Sequence, residues 1–108
     1  NVLNVPLPDG TGSKVFRDVM EHLVLPRVDG FAPQLLIISA GFDAHEADPL
    51  AGMYLTTEDF AWVTERLCDL ADRHCQGRLV SSLEGGYDLE ALGASAAAHV
   101  KVLEERGR

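Results

Sequence analysis

The chain has 108 residues, 46% of them hydrophobic, and a mean hydropathy near zero, which sets it among globular sequences able to form one domain or part of one. Seventeen Asp and Glu against nine Lys and Arg give a formal net charge of -8, so phosphate backbones and anionic membrane surfaces are repelled and direct nucleic-acid binding is not expected. The same surplus either draws a cationic ligand or simply keeps the surface soluble.

The opening Asn1-Val2-Leu3-Asn4-Val5-Pro6-Leu7-Pro8 lacks an initiator Met and reads like an internal segment. Pro8, Asp9, Gly10 and Gly12 mark a loop, after which Ser13 is placed to cap a helix. Its apolar positions Phe16, Val19, Met20, Leu23 and Val24 recur at helical spacing, and Pro26 is expected to disturb its last turn. Residues 35–38, Leu-Leu-Ile-Ile, form a continuous apolar run, the pattern of a parallel strand covered on both faces, which Gly41 ends.

Thr56 with Asp59 has the form of a capping box, and Phe60, Val63, Leu67, Leu70 and His74 then repeat at threes and fours toward a stop near Gly77. Residues 78–83 read as a second strand, Gly85-Gly86 as a tight turn, and Asp88 as the cap of a last helix facing Leu89, Leu92, Ala96, Val100 and Leu103 inward. Cys68 and Cys75 share a helix face about two turns apart, too far for a disulfide, and read as packing thiols of a reducing compartment. No run is long enough to span a bilayer, and the start lacks the pattern of a signal peptide, so a cytoplasmic location and no membrane partner are expected.

Helix, strand, helix, strand, helix is the order of an α/β layer with parallel strands joined by a right-handed crossover. In such sheets the functional crevice lies beyond the carboxyl ends of the strands, and here both ends lead into polar loops. The first is Ser39-Ala40-Gly41-Phe42-Asp43-Ala44-His45-Glu46-Ala47-Asp48-Pro49-Leu50. Chemistry alone lets Asp43 hold a divalent metal, orient a sugar hydroxyl or cap a turn. The second is Leu83-Glu84-Gly85-Gly86-Tyr87-Asp88-Leu89, where paired glycines place a phenol at the sheet's edge. A Tyr hydroxyl can donate to an oxyanion without a tuned pKa, which is one reading of Tyr87; the other is an amphipathic residue beside a helix start.

SAGFDAHEADPL followed by LEGGYDL resembles the two C-terminal signatures of the histone deacetylase and acetylpolyamine amidohydrolase superfamily, in the form of class II and its bacterial relatives. The NVPLP opening resembles the segment that precedes them, so the likeness runs over nearly the whole chain. It implies that residues 1–108 are a C-terminal fragment of a single deacetylase catalytic domain, with an arginase-like three-layer αβα fold. The implied parent is a Zn²⁺-dependent amidohydrolase whose substrate is an acetylated amine, acetyl-lysine or acetylpolyamine.

Residue by residue, Asp43 matches the family's third zinc ligand, and Tyr87 matches the tyrosine that polarises the amide carbonyl. Gly85 and Gly86 would shape the backbone near the substrate channel. Leu50 matches a channel-lining position and is equally an ordinary packing residue. His45 is placed in support of the site or at the surface, Asp48 before Pro49 as the residue that fixes the loop's turn, and His22, His74 and His99 as surface or packing residues.

The family plan also requires a further Asp and His as ligands and a tandem histidine pair, and none of these occurs in this sequence. The chain alone is therefore expected to be inactive, its partner being the missing N-terminal part of the catalytic domain. A non-catalytic α/β binding or scaffolding module is the alternative, although half a parallel sheet would expose a long edge. An unrelated α/β enzyme lacks support, since no GxGxxG, P-loop or DxD pattern is present.

Overall fold

The N-terminal loop is held by pairing with the segment around Gly52 and Tyr54. The Gly10 amide donates to the Gly52 carbonyl at 2.7 Å and the Tyr54 amide to the Thr11 carbonyl at 2.9 Å. The computed structural model describes residues 1–107, so Arg108, the last residue of the span assigned to the fragment, lies outside the described residues.

Helix α1, Ser13–Val19, begins on Gly12 as its N-cap, not on Ser13. The Ser13 hydroxyl donates instead to the carboxylate of Asp59, which removes it from the capping role. Met20–Val24 then widens into a π turn, in which the Leu25 amide reaches the Met20 carbonyl, and α2 continues over Leu25–Phe31. Pro26 therefore does not spoil a last turn. It sits at the start of α2, where a missing N–H is tolerated, and the π turn before it absorbs the misfit.

Strand β1, Leu36–Ala40, and strand β2, Leu79–Leu83, pair in parallel with Leu36 opposite Leu79 and Ala40 opposite Leu83. Between them runs α3, Thr57–Cys75, whose start carries the predicted capping box of Thr56 and Asp59 and whose end passes through left-handed Gln76 and Gly77. Helix α4, Leu89–Arg106, starts on Asp88, whose side chain accepts from the Ala91 amide at 2.9 Å. This is the α/β architecture with parallel strands expected from the sequence.

Coverage of the sheet departs from expectation. Ile38 and Ser81 face the layer made by α3 and α4, whereas Ile37 and Val80, on the opposite face, are 70% and 56% exposed. The apolar run is thus covered on one face within this chain, because the described residues supply a helical layer for one side only. Among the described residues the sheet pairs two strands, each with an open edge.

The face buried by α4 meets the expectation in part: Leu92 and Ala96 pack against the core, but the most buried positions lie beside them. Leu89 is 80% exposed and Val100 is exposed, while Ala91, Ser95, His99 and Val102 are buried. Small side chains at Ala91 and Ser95 allow the helices to approach closely, so leucines flank the contact rather than fill it. On α3 Phe60, Thr64, Cys68, Ala71 and Cys75 form a buried stripe with the expected Leu70 buried beside it, and Val63 and Leu67 lie at its margin. Both cysteines are free and buried, as packing thiols should be. Among the described residues no helix is long and apolar enough to cross a membrane.

Candidate active site

Beyond the sheet the two strands stay joined. The Glu84 amide donates to the Ala40 carbonyl at 3.0 Å and the Phe42 amide to the Gly85 carbonyl at 2.8 Å, so the two loops leave the strands as one unit. Phe42 is buried edge-on against Phe60, with ring centres 5.1 Å apart, and against His99 at 5.7 Å. This anchor fixes the backbone from which Asp43 projects.

The Asp43 carboxylate lies against Gly85. A Cβ at Gly85 would meet Asp43 Cγ at 3.1 Å and both carboxylate oxygens at 3.2 Å, so the absence of a side chain there is what gives the carboxylate its seat. Gly86 has φ of 145° and its α-carbon faces Leu92, whose Cδ1 a Cβ would approach to 2.7 Å, so this position demands glycine. Asp43 is half-buried, and no hydrogen bond or ion pair engages its carboxylate among the described residues.

Tyr87 and Leu50 reach the same end of the sheet, 56% and 68% exposed. Their side chains are free of the core, but their backbones are not. Asp48, 7% exposed, accepts from the Leu50 amide at 2.9 Å through Oδ1, and through Oδ2 from the Tyr87 amide at 2.7 Å and more distantly from the Asp88 amide at 3.4 Å. Burial acts to raise the pKa of Asp48, but amide donors from Leu50, Tyr87, Asp88 and Ala51 outweigh it and hold the carboxyl below its ordinary range. The turn role read from sequence is present in the Leu50 bond; the bridge to the tyrosine loop is additional.

His45 is occupied within its own loop. Its Nδ1 accepts from the Ala47 amide at 3.0 Å, and Nε2 faces the Thr57 hydroxyl at 3.4 Å. His99 is buried in a relay across three elements. The Thr64 hydroxyl donates to the Phe60 carbonyl at 2.6 Å and so accepts from His99 Nδ1 at 2.8 Å, leaving Nε2 to accept from the Ser81 hydroxyl at 2.8 Å. Both contacts suit a neutral ring, and burial lowers the pKa of His99 accordingly. Of the two sequence readings of His99, surface or packing, burial selects packing; its place opposite Ser81 on β2 is a contact across the fold that local spacing does not announce.

Asp43 has the properties of one metal ligand: a hard, unpartnered carboxylate in a seat that the backbone keeps open. Among the described residues no group of three His, Cys, Asp or Glu side chains comes together that could hold a metal ion. The described residues thus fit a metal as one member of a ligand set, not as the whole set.

A parallel sheet with an open carboxylate and a phenol beyond its strand ends defines an α/β protein with a crevice at the carboxyl ends of its strands. The chain belongs to the family described as the histone deacetylase domain, whose model matches residues 1–103. It is 40% identical to type-2 histone deacetylase 2 of Dictyostelium discoideum over 97% of this chain and 6% of that protein. With the histone deacetylase-like amidohydrolase of Pseudomonas aeruginosa it shares 46% identity over 79% of this chain and 22% of that protein. The crystal structure of the HDA15 HD domain superposes with a TM-score of 0.81 at 42% identity, covering 89% of this chain and 26% of that one. The chain therefore spans a minor part of the length of each of these relatives.

Proposed function

We propose that this chain is the C-terminal part of the catalytic domain of a zinc-dependent deacetylase, which hydrolyses the acetyl-amide of an acetyl-lysine or an acetylpolyamine. The observation that carries the proposal is the Asp43 carboxylate, unpartnered and seated on Gly85, in a loop bonded to the one that presents Tyr87. Family membership supports the same reading.

Asp43 would supply one ligand to the zinc. When bound, the metal polarises the amide carbonyl and makes water a competent nucleophile at neutral pH. Tyr87 donates a hydrogen bond through its hydroxyl to the former carbonyl oxygen as negative charge develops there. Its hydroxyl has no protein partner among the described residues, so no internal bond must break before it turns to substrate. Leu50, exposed beside it, offers an apolar wall for the methylene stem of an acetylated amine. Gly85 and Gly86 keep the loop narrow next to both groups.

The remaining ligands and the histidine pair would come from preceding sequence of a longer protein. The open face at Ile37 and Val80 supports this, because so much apolar surface on a sheet ordinarily packs against further structure. It also weighs against the alternative of a free-standing binding or scaffolding module.

The test compares the intact protein with residues 1–108 alone, scoring bound zinc and hydrolysis of an acetyl-lysine reporter and an acetylated polyamine. The intact protein should bind zinc and cleave at least one substrate, and Tyr87→Phe should cost it about 100-fold in kcat. The isolated chain should bind zinc weakly and show no hydrolysis. An active isolated chain overturns the account of the site, and an intact protein inert toward both substrates overturns the deacetylase reading.

A further inference from the structure

Asp48 has the geometry of a link between two loops as well as of a turn residue. One buried carboxylate takes the Leu50 amide on one oxygen and the Tyr87 amide on the other, at 2.9 and 2.7 Å. Leu50 and Tyr87 come from different loops, after β1 and β2, and both side chains are mainly exposed. No side-chain hydrogen bond fixes the Tyr87 hydroxyl among the described residues, so the hydrogen-bonded anchor of this residue is through its backbone. That backbone is held from one side by Asp48 and from the other by Gly86, whose φ of 145° and contact with Leu92 fix the turn before it.

We infer that Asp48 is a positioning residue for the reaction, aligning Tyr87 with the substrate carbonyl and setting the Tyr87 phenol and the Leu50 wall in register across the two loops. The inference rests on the role proposed above for Tyr87. A hydrogen bond between an amide and an ionised carboxylate is among the stronger and shorter kinds, and two on the same group leave little freedom between the residues it joins. Neither water nor a neutral amide replaces it well. Asn at this position keeps one acceptor oxygen but turns an N–H₂ toward the second amide, so one of the two loops loses its anchor. Catalysis by a preorganised donor depends on the donor standing in place before charge develops, which makes a loosened Tyr87 costly even with its hydroxyl intact.

The experiment is a double-mutant cycle in the intact zinc-loaded protein, comparing Asp48→Asn, Tyr87→Phe and the pair by kcat, KM, zinc content and thermal melting. Asp48→Asn should lower kcat about tenfold or more while moving KM by less than about threefold, with full zinc content. Added to Tyr87→Phe, it should lower kcat by less than about twofold further, because its effect passes through the hydroxyl already removed. Asp48→Glu, which restores both acceptor oxygens, should recover part of the lost kcat. Independent, multiplying losses from the two substitutions overturn the inference while leaving Tyr87 in its role, as does a silent Asp48→Asn. A fully active Tyr87→Phe overturns the reading of Tyr87 and this inference with it. If neither Asp48 variant folds with zinc bound, Asp48 serves the fold and the positioning role is refuted.

Discussion

The entry to α3 and the loop after β1 each place an aspartate at a structural junction, and the two carboxylates are treated in opposite ways. At the entry, Asp59 is fully buried and saturated. It accepts from the Thr56 amide at 2.9 Å, from Arg17 Nε at 2.8 Å, and from the hydroxyls of Thr56 and Ser13. Burial acts to raise its pKa, but Ser13, the Thr56 amide and Arg17 outweigh that and hold the carboxyl below its ordinary value. In the loop, the backbone beside Asp43 is anchored by the Phe42 amide bond to Gly85 and by the Phe42 ring, yet the Asp43 oxygens meet no donor among the described residues. A saturated carboxylate joins α1 to α3; an unsaturated one held still is suited to an incoming ligand.

Removing each aspartate should separate the two roles. Asp43→Ala in the intact protein is expected to abolish zinc retention and to lower activity by at least about 10³-fold, beyond the roughly 10–100-fold seen when supporting groups are lost. Its melting temperature, measured with zinc stripped from both proteins, should match the unaltered protein. Asp59→Ala is expected to do the reverse: a loss of about 3 kcal/mol in urea unfolding, since it leaves Arg17 and the Thr56 amide without their acceptor. Per-molecule zinc content should be unchanged in the folded fraction. Equal losses of stability in the two variants would erase the distinction.

How much of this was readable in advance follows the same division. The capping box at Thr56 and Asp59, the cap at Asp88 and the strand ends leading to Asp43 and Tyr87 are local features, written within a few residues of one another. The deacetylase family was legible because its two signatures are long and contiguous. What escaped was set by contacts across the fold. Arg17 on Asp59 and Asp48 on Tyr87 join residues far apart in sequence, and no spacing rule announces them. On α4 the expected Leu92 and Ala96 do pack against the core, but the deepest positions, Ala91, Ser95 and His99, are set by close approach to α3 and by Ser81 and carry little apolar signal of their own. The open sheet face has another cause: an apolar run records that a strand is to be covered, but not that this chain provides the cover.

A finer probe of the Asp43 seat is Gly85→Ala. The backbone at Gly85 tolerates a side chain, so the fold should persist, but the new Cβ would stand 3.1–3.2 Å from the carboxylate and must push it aside by a few tenths of an ångström. Metal–ligand distances tolerate about 0.2 Å. Zinc affinity measured by chelator competition should therefore fall about tenfold, with melting of the zinc-free protein unaltered. Full zinc affinity in this variant would mean that the seat does not determine where Asp43 stands.

The smallest expected effect concerns the support beneath the seat. His99 touches Phe42, the residue before Asp43, and its ring is enclosed by the hydroxyls of Thr64 and Ser81. Burial lowers its pKa from the ordinary 6.5, so the folded protein resists taking up a proton that the unfolded chain accepts readily. The stability contributed by neutral His99 is complete above the unfolded value and is lost as pH falls from there toward the lower folded value. In zinc-free protein, the melting temperature should drop on going from about pH 7 to about pH 5 by roughly 2–4 °C more than in a His99→Gln variant. Glutamine keeps a neutral donor and acceptor at every pH, so the two curves should diverge only on the acid side. Parallel curves would show that the ring titrates as it does in the unfolded chain and that its burial carries no pH-dependent stability.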